Sequence, residues 1–154
     1  MPQALWRKQM ELGYEPLDNE HKEFFEVVQK STEASQVGDF ATMEWVFEKA
    51  YDYARDHFSH EEDIMERIHF PDIVAHMKAH QIFIKNISEL RQQYEVASSE
   101  EEKGKIAVKT ANFLNVWLLG HILSRDKVIK PYLVRLRNLP PRMNYDGKVL
   151  EEGQ

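Results

Sequence analysis

His57-Phe58-Ser59-His60-Glu61-Glu62-Asp63-Ile64-Met65 sets an imidazole and a carboxylate, His57 and Glu61, four residues apart. On a helix that spacing projects both side chains from one face as neighbours. The surrounding apolar residues Phe47, Ala50, Tyr51, Ala54, Phe58, Ile64, Met65 and Ile68 recur at helical intervals. His57 and Glu61 therefore fall in or beside a stripe that faces a dry core. Burying a lone carboxylate costs several kcal/mol or more unless it is paired or bound to a cation. The other helices are expected to bring compensating groups to the same place.

Reading outward, Asp39 caps this helix, which is expected from about Phe40 to Ile68. Upstream, residues 1–17 read as an irregular lead-in punctuated by Gly13 and Pro16, with Asp18 as the N-cap of a first helix. Leu17, His21, Phe24, Phe25 and Val28 give that helix its apolar face, and His21 lies on it. Downstream, Pro71 marks a turn into a third helix reaching about Val96. Its stripe is Ile73, His76, Met77, His80, Phe83, Ile84, Ile87 and Leu90, with two histidines on successive turns. Ser98 and Ser99 with Glu100–Glu102 form a loop and a capped start. Ile106, Thr110, Phe113, Leu114, Trp117 and His121 then line one side of a fourth helix. Repeated helical stripes joined by short connections, with no alternating strand pattern, predict an all-α, up-and-down antiparallel four-helix bundle. It carries an N-terminal lead-in and a C-terminal extension, divided as a bundle over 1–137 and a Pro/Gly-punctuated tail over 138–154.

Composition narrows the chemistry. The 154 residues suit one domain with a real core. A net charge of −6 and the lack of a Lys/Arg run argue against a nucleic-acid surface. No segment approaches the roughly 20 consecutive apolar residues that span a bilayer, and the opening residues do not read as a secretory signal. The default compartment is the cytoplasm. With no cysteine, disulfides, thiolate catalysis and sulfur-ligated metals are excluded, so any metal must be held by nitrogen and oxygen.

Each histidine alone reads as a hydrogen-bonded core residue. Their coincidence does not: His21, His57, Glu61, His76, His80 and His121 take inward or near-inward positions on all four helices. Side chains so placed converge on a bundle axis, where cofactor sites are built. Asp126 follows His121 by five residues, about 140° around a regular helix, so it joins them only if the helix is interrupted. Ser124 or the approach to Pro131 would permit that, and Gly120 marks the same distortion. Five imidazoles and two carboxylates exceed one tetrahedral zinc site, and imidazole-rich ligation disfavours calcium and magnesium. Two six-coordinate transition ions fit better, bridged by Glu61 and Asp126 and sharing an oxo or hydroxo bridge, with one position left open. The single Glu66-x-x-His69 pair falls short of the two pairs a carboxylate-rich ferritin-like site needs. His60 reads as an outer-face residue, and His69 as a helix-end residue interacting with the dipole.

Leu17-Asp18-Asn19-Glu20-His21-Lys22, His57-Phe58-x-x-Glu61-Glu62-x-x-Met65, His76-x-x-x-His80 and Trp117-x-x-x-His121-Ile122-x-x-x-Asp126-Lys127 follow one another in order. Together they closely resemble the hemerythrin family over about residues 4–135. The resemblance implies a cofactor of two iron ions in a non-haem centre that binds dioxygen reversibly. It implies that His76, His80 and His121 bind one iron, that His21 and His57 bind the iron with the open position, and that Glu61 and Asp126 bridge. It also places Leu118, one residue after the tryptophan, in an apolar wall to which Trp117, Phe25, Phe58 and Ile122 contribute. A carrier, store or delivery protein for dioxygen is the first expectation, rather than an enzyme. A sensor acting through a partner, or a di-iron enzyme handling peroxide or nitric oxide, are the alternatives. No protein partner is identified by these residues.

Overall fold

Four long helices carry the fold: α1 (Glu15–Val37), α2 (Phe40–Arg67), α3 (Ile73–Val96) and α4 (Glu100–His121). They come from a computed structural model that describes residues 5–139. The main packing runs α1 on α2, α2 on α3, α3 on α4 and α4 back on α1, the circuit of an up-and-down bundle. No strand occurs among the described residues. The expected tail over 138–154 lies outside them apart from Asn138 and Leu139.

Local chemistry sets the boundaries. Asp39 caps α2 through both oxygens, accepting from the Thr42 amide at 3.1 Å and the Thr42 hydroxyl at 2.6 Å. Before it, Gly38 ends α1 in the left-handed region at φ 68°, where a side chain would be strained. Ser99 accepts from the Glu102 amide, while the Glu102 carboxylate accepts from the Ser98 amide and hydroxyl, a reciprocal cap on α4.

The start of α1 differs from the sequence expectation. The helix begins at Glu15 with Pro16 in its first turn, where a missing N–H costs nothing. Asp18 sits inside the helix and is buried. Its carboxylate accepts from the Leu12 amide at 2.7 Å and the Gly13 amide at 3.1 Å, fastening the lead-in across the end of the bundle. Two stripe residues also turn outward: Tyr51 is 46% exposed and Ile84 37%. Each is next in sequence to a buried residue, Ala50 and Phe83. A 100° step from a core position is enough to reach the edge of the stripe.

The buried apolar residues form two clusters. One includes Phe24, Phe25, Phe47, Phe58, Phe83, Leu114, Leu118 and Ile122. The other holds Leu12, Leu17, Ile64, Met65, Ile68, Phe70, Ile129 and Leu133. Along each helix the polar inward residues fall between them: His21 between Leu17 and Phe24, Glu61 between Phe58 and Ile64, Asp126 between Ile122 and Ile129. The stretch Glu100–Asn138 contains a window apolar enough to cross a membrane, and half of that window is buried in the bundle. That is how a core helix reads.

Candidate metal centre

His21 on α1, His57 and Glu61 on α2, His76 and His80 on α3, and His121 at the end of α4 all point into this polar layer and are buried. Asp126 reaches it because the chain forms a π turn over Ile122–Asp126. The Lys127 amide donates to the Ile122 carbonyl, a five-residue step that brings positions 121 and 126 onto one side. Ser124 completes the turn by donating from its hydroxyl to the Gly120 carbonyl at 2.5 Å. Gly120 itself has no crowding at its Cα, so its lack of a side chain is not what the turn requires.

The donors fall into two groups, His76, His80 and His121 in one and His21 and His57 in the other, with Glu61 and Asp126 common to both. Within each group the donor atoms lie within 4.8 Å of one another. Each carboxylate divides its oxygens between the groups. Glu61 turns Oε1 to Nε2 of His76 at 2.6 Å and of His80 at 3.2 Å. Its Oε2 faces Nε2 of His57 at 3.2 Å and of His21 at 3.7 Å. Asp126 places Oδ1 at 3.0 Å from Nε2 of both His76 and His121, and Oδ2 at 3.1 Å from Nε2 of His21.

Two further carboxylates set the imidazole tautomers. Glu20 lies 3.1 Å from Nδ1 of His57, and Glu62 lies 3.0 Å from Nδ1 of His80. With Nδ1–H donated outward, Nε2 of each neutral ring keeps its lone pair for the interior, the arrangement of a metal-binding histidine. In both pairs the inner nitrogens then meet a second ring: His57 Nε2 is 3.1 Å from His21 Nε2, and His80 Nε2 is 3.2 Å from His121 Nε2. Both oxygens of Glu61, both of Asp126 and Nε2 of His76 are buried without an aligned hydrogen bond, despite their short separations. These atoms converge on shared points rather than on one another. Donors so arranged fit cations.

The electrostatics agree. Burial opposes charge on His21, yet its contacts with Asp126 and Glu61 prevail and raise it to about 10. The same balance raises His76 to about 9 and pushes His57 upward, with Glu20 and Glu61 as its partners. Burial would raise Glu61, but four imidazoles hold it well below the usual carboxylate range. Asp126 is lowered in the same way: burial and Glu61 work against its charge, and His121 and His21 outweigh them. Glu20 is held at about 2, burial being overcome by His57 and His60. The buried layer is anionic at its heart and demands positive charge, supplied by protons or by metal ions.

Aromatic rings back the imidazoles. Phe58 stacks on His80 at 3.9 Å, Trp117 on His121 at 4.3 Å and Tyr53 on His57 at 4.5 Å. Trp6 of the lead-in lies 6.4 Å from His21, and Phe70 meets His76 edge-on. Of the expected wall residues, Phe58 and Trp117 thus sit on the three-histidine side. Leu118 and Ile122 are fully buried in the larger cluster, and Phe25 packs edge-on against Trp6.

Sequence reasoning missed Glu20, Glu62, Tyr53 and Trp6. It also read His60 as outward, whereas His60 Nδ1 lies 2.8 Å from Glu20 and shares that carboxylate with His57. For Glu20 and Glu62 the signal was adjacency to His21 and Glu61. His69 is exposed at the end of α2, at φ 53°.

Comparison with known proteins gives one consistent result. The profile of the hemerythrin HHE cation binding domain matches residues 12–133. A bacteriohemerythrin of Pseudomonas aeruginosa (strain UCBPP-PA14) is 30% identical over 128 residues, covering 82% of this chain and 78% of the relative. One from Clostridium acetobutylicum is 27% identical, covering 80% of this chain and 95% of the relative. A myohemerythrin of Theromyzon tessulatum is 27% identical, covering 79% and 86%.

Proposed function

The chain belongs to the hemerythrin family, and from that premise we propose that its buried cluster holds two iron ions and binds dioxygen reversibly, as a carrier, store or delivery protein. His76, His80 and His121 would hold one ion and His21 and His57 the other, with Glu61 and Asp126 available to both. The observation that carries this reading is the division of each carboxylate's oxygens between the two histidine groups. Two ferrous ions held by these residues would supply the electrons that dioxygen binding takes.

The chain's own residues do the rest. Glu20 and Glu62 hold the outer N–H groups of His57 and His80, so that their inner nitrogens stay available without reorganisation. The aromatic stacks fix the planes of His57, His80 and His121. Phe25, Leu118 and Ile122, all buried, supply an apolar wall that keeps water and protons from the site. Reversibility depends on that exclusion, since solvent access ends in irreversible oxidation. Phe58 and Trp117 close the opposite side.

The test is direct. Purified protein is expected to carry two irons per chain by elemental analysis. Reduced without air and then exposed to it, it develops a visible charge-transfer absorption that disappears on deoxygenation and returns over repeated cycles. Decay to a permanently oxidised form within the first cycle overturns the carrier reading, and a chain purified with no iron overturns the cofactor.

A further inference from the structure

We propose that the groove between α1 and α2 is the path by which divalent cations reach the buried cluster. This rests on the metal-centre reading above and concerns a different property, the rate of loading. The cluster's side chains are almost wholly buried, so an ion has to cross the protein to reach them. Above and below the polar layer the way is closed by the two apolar clusters. Two grooves in the surface have a cluster histidine in their wall. One is the α1–α2 groove, a cavity of about 510 Å3 with His57 among its lining. The other is a recess of about 60 Å3 beside His76, between the start of α3 and the π turn.

Size and charge both favour the groove. The groove, at about 510 Å3, is several times roomier than the recess, at about 60 Å3, and so better suited to an ion that still carries its waters. Glu20, Glu23, Glu26, Asp52 and Asp56 line the groove with Lys30 and Lys49. The Lys30 ammonium lies over the Trp45 ring, 4.6 Å from its centre. Arg55 pairs with Asp56 at 2.8 Å and Asp52 at 3.5 Å, which leaves Glu20, Glu23 and Glu26 as the groove's acids outside that pair. A concave wall with an excess of negative charge focuses the field and concentrates cations. The recess instead sets one acid against one base, Asp72 and Arg125, and has no excess of negative charge to draw a cation in.

The groove also ends on the cluster. The Glu20 side chain is 28% exposed on the groove side and touches His57 Nδ1 at 3.1 Å. His57 Nε2 in turn lies 3.2 Å from Glu61 Oε2. Only the His57 ring therefore stands between Glu20 in the groove and Glu61, whose oxygens are buried and lack an aligned donor. Glu20 is the first carboxylate an incoming ion meets that also touches the interior.

The test mixes the full chain, stripped of metal by chelation and verified as helical by circular dichroism, with cobalt(II) in a stopped-flow instrument. Cobalt absorption reports the rate of uptake and the final stoichiometry. The groove variant Glu23→Gln/Glu26→Gln/Asp52→Asn leaves every cluster residue intact. The control Glu44→Gln/Glu48→Gln/Glu95→Gln removes the same charge from a separate groove between α2 and α3, nearer the start of α2. At about 10 mM ionic strength the groove variant is expected to load roughly tenfold more slowly than the parent. The control is expected to stay within about twofold. At about 1 M salt the difference closes, because the Debye length falls to about 3 Å. Two cobalt ions bound at the parent rate in the groove variant overturn the path and leave the metal centre standing. Equal slowing in both variants, or faster loading in Arg125→Gln beside an unchanged groove variant, overturns it as well. Failure of the parent to bind cobalt at all removes the metal centre, and the path with it.

Discussion

Glu61 and Asp126 show what a single residue contributes here. Each has two oxygens, and each sends one to either side. Their inward placement was legible in part. The i, i+4 relation to His57 puts Glu61 on the stripe whatever the helix does, whereas Asp126 needed a break in the helix to arrive. Glu20 and Glu62 were not legible as partners. A residue next to an inward one points about 100° away, and what it meets depends on where the neighbouring helix lies. Their importance is open to measurement. Glu62→Ala removes the carboxylate that holds His80 Nδ1 at 3.0 Å, and is expected to weaken metal binding by about 10- to 100-fold with the helical fold retained. Competition with a chelator measures that change. An unchanged affinity would mean that the contact does not tune the histidine.

At the scale of elements, the ends of α2 and α4 decide the site. The π turn carries Asp126 inward, and the residues beyond it return over the end of α2, where Arg135 donates to the Ile68 carbonyl at 2.8 Å. The end of α2 is a Schellman closure. The Phe70 amide donates to the Met65 carbonyl and the His69 amide to the Glu66 carbonyl. His69 takes the left-handed position usually given to glycine, at φ 53°. This backbone role comes on top of the helix-end position expected from sequence. A left-handed conformation costs an ordinary residue about 1–2 kcal/mol, and glycine gives back about 0.5–1 through its freer unfolded chain. His69→Gly is therefore expected to stabilise the protein by about 0.5 kcal/mol, seen as a small rise in Tm by calorimetry. A fall in Tm would mean that the imidazole contributes to the fold in its own right.

For the whole molecule, the notable feature is a charged layer set between two apolar clusters. Its dependence on pH follows from the groups it holds. His21 and His76 titrate at about 10 and 9, above the ordinary 6.5. Their contribution to the metal-stripped chain is present below about 6.5 and lost as pH rises through 9–10. Glu20, lowered from 4.5 to about 2, contributes above 4.5 and fails as pH falls through 2. The stripped chain is thus expected to be most stable between about pH 4.5 and 6.5. Bound metal takes the place of those protons and binds more tightly as they leave. Ions at a thousandfold excess over Kd add about 4 kcal/mol, roughly 10 °C in Tm at this size. The Tm gap between loaded and chelated protein is expected to widen from pH 6 to pH 9. A gap that stays level or narrows contradicts the assignment of those histidines.

The sequence by itself determined the helices, the caps at Asp39 and Ser99, and the inventory of nitrogen and oxygen donors, because all of these depend on the spacing of neighbours along one chain. Four helices carrying five inward imidazoles left few folds in which the charge is compensated. Only the tertiary structure decided how far each helix is rotated, which put Tyr51 and Ile84 outside, brought Glu20 to both His57 and His60, and laid Tyr53 and Trp117 on their imidazoles. At 100° per residue, a shift of one position turns an inward side chain aside. That choice is made by all four helices packing at once, and no local pattern encodes it.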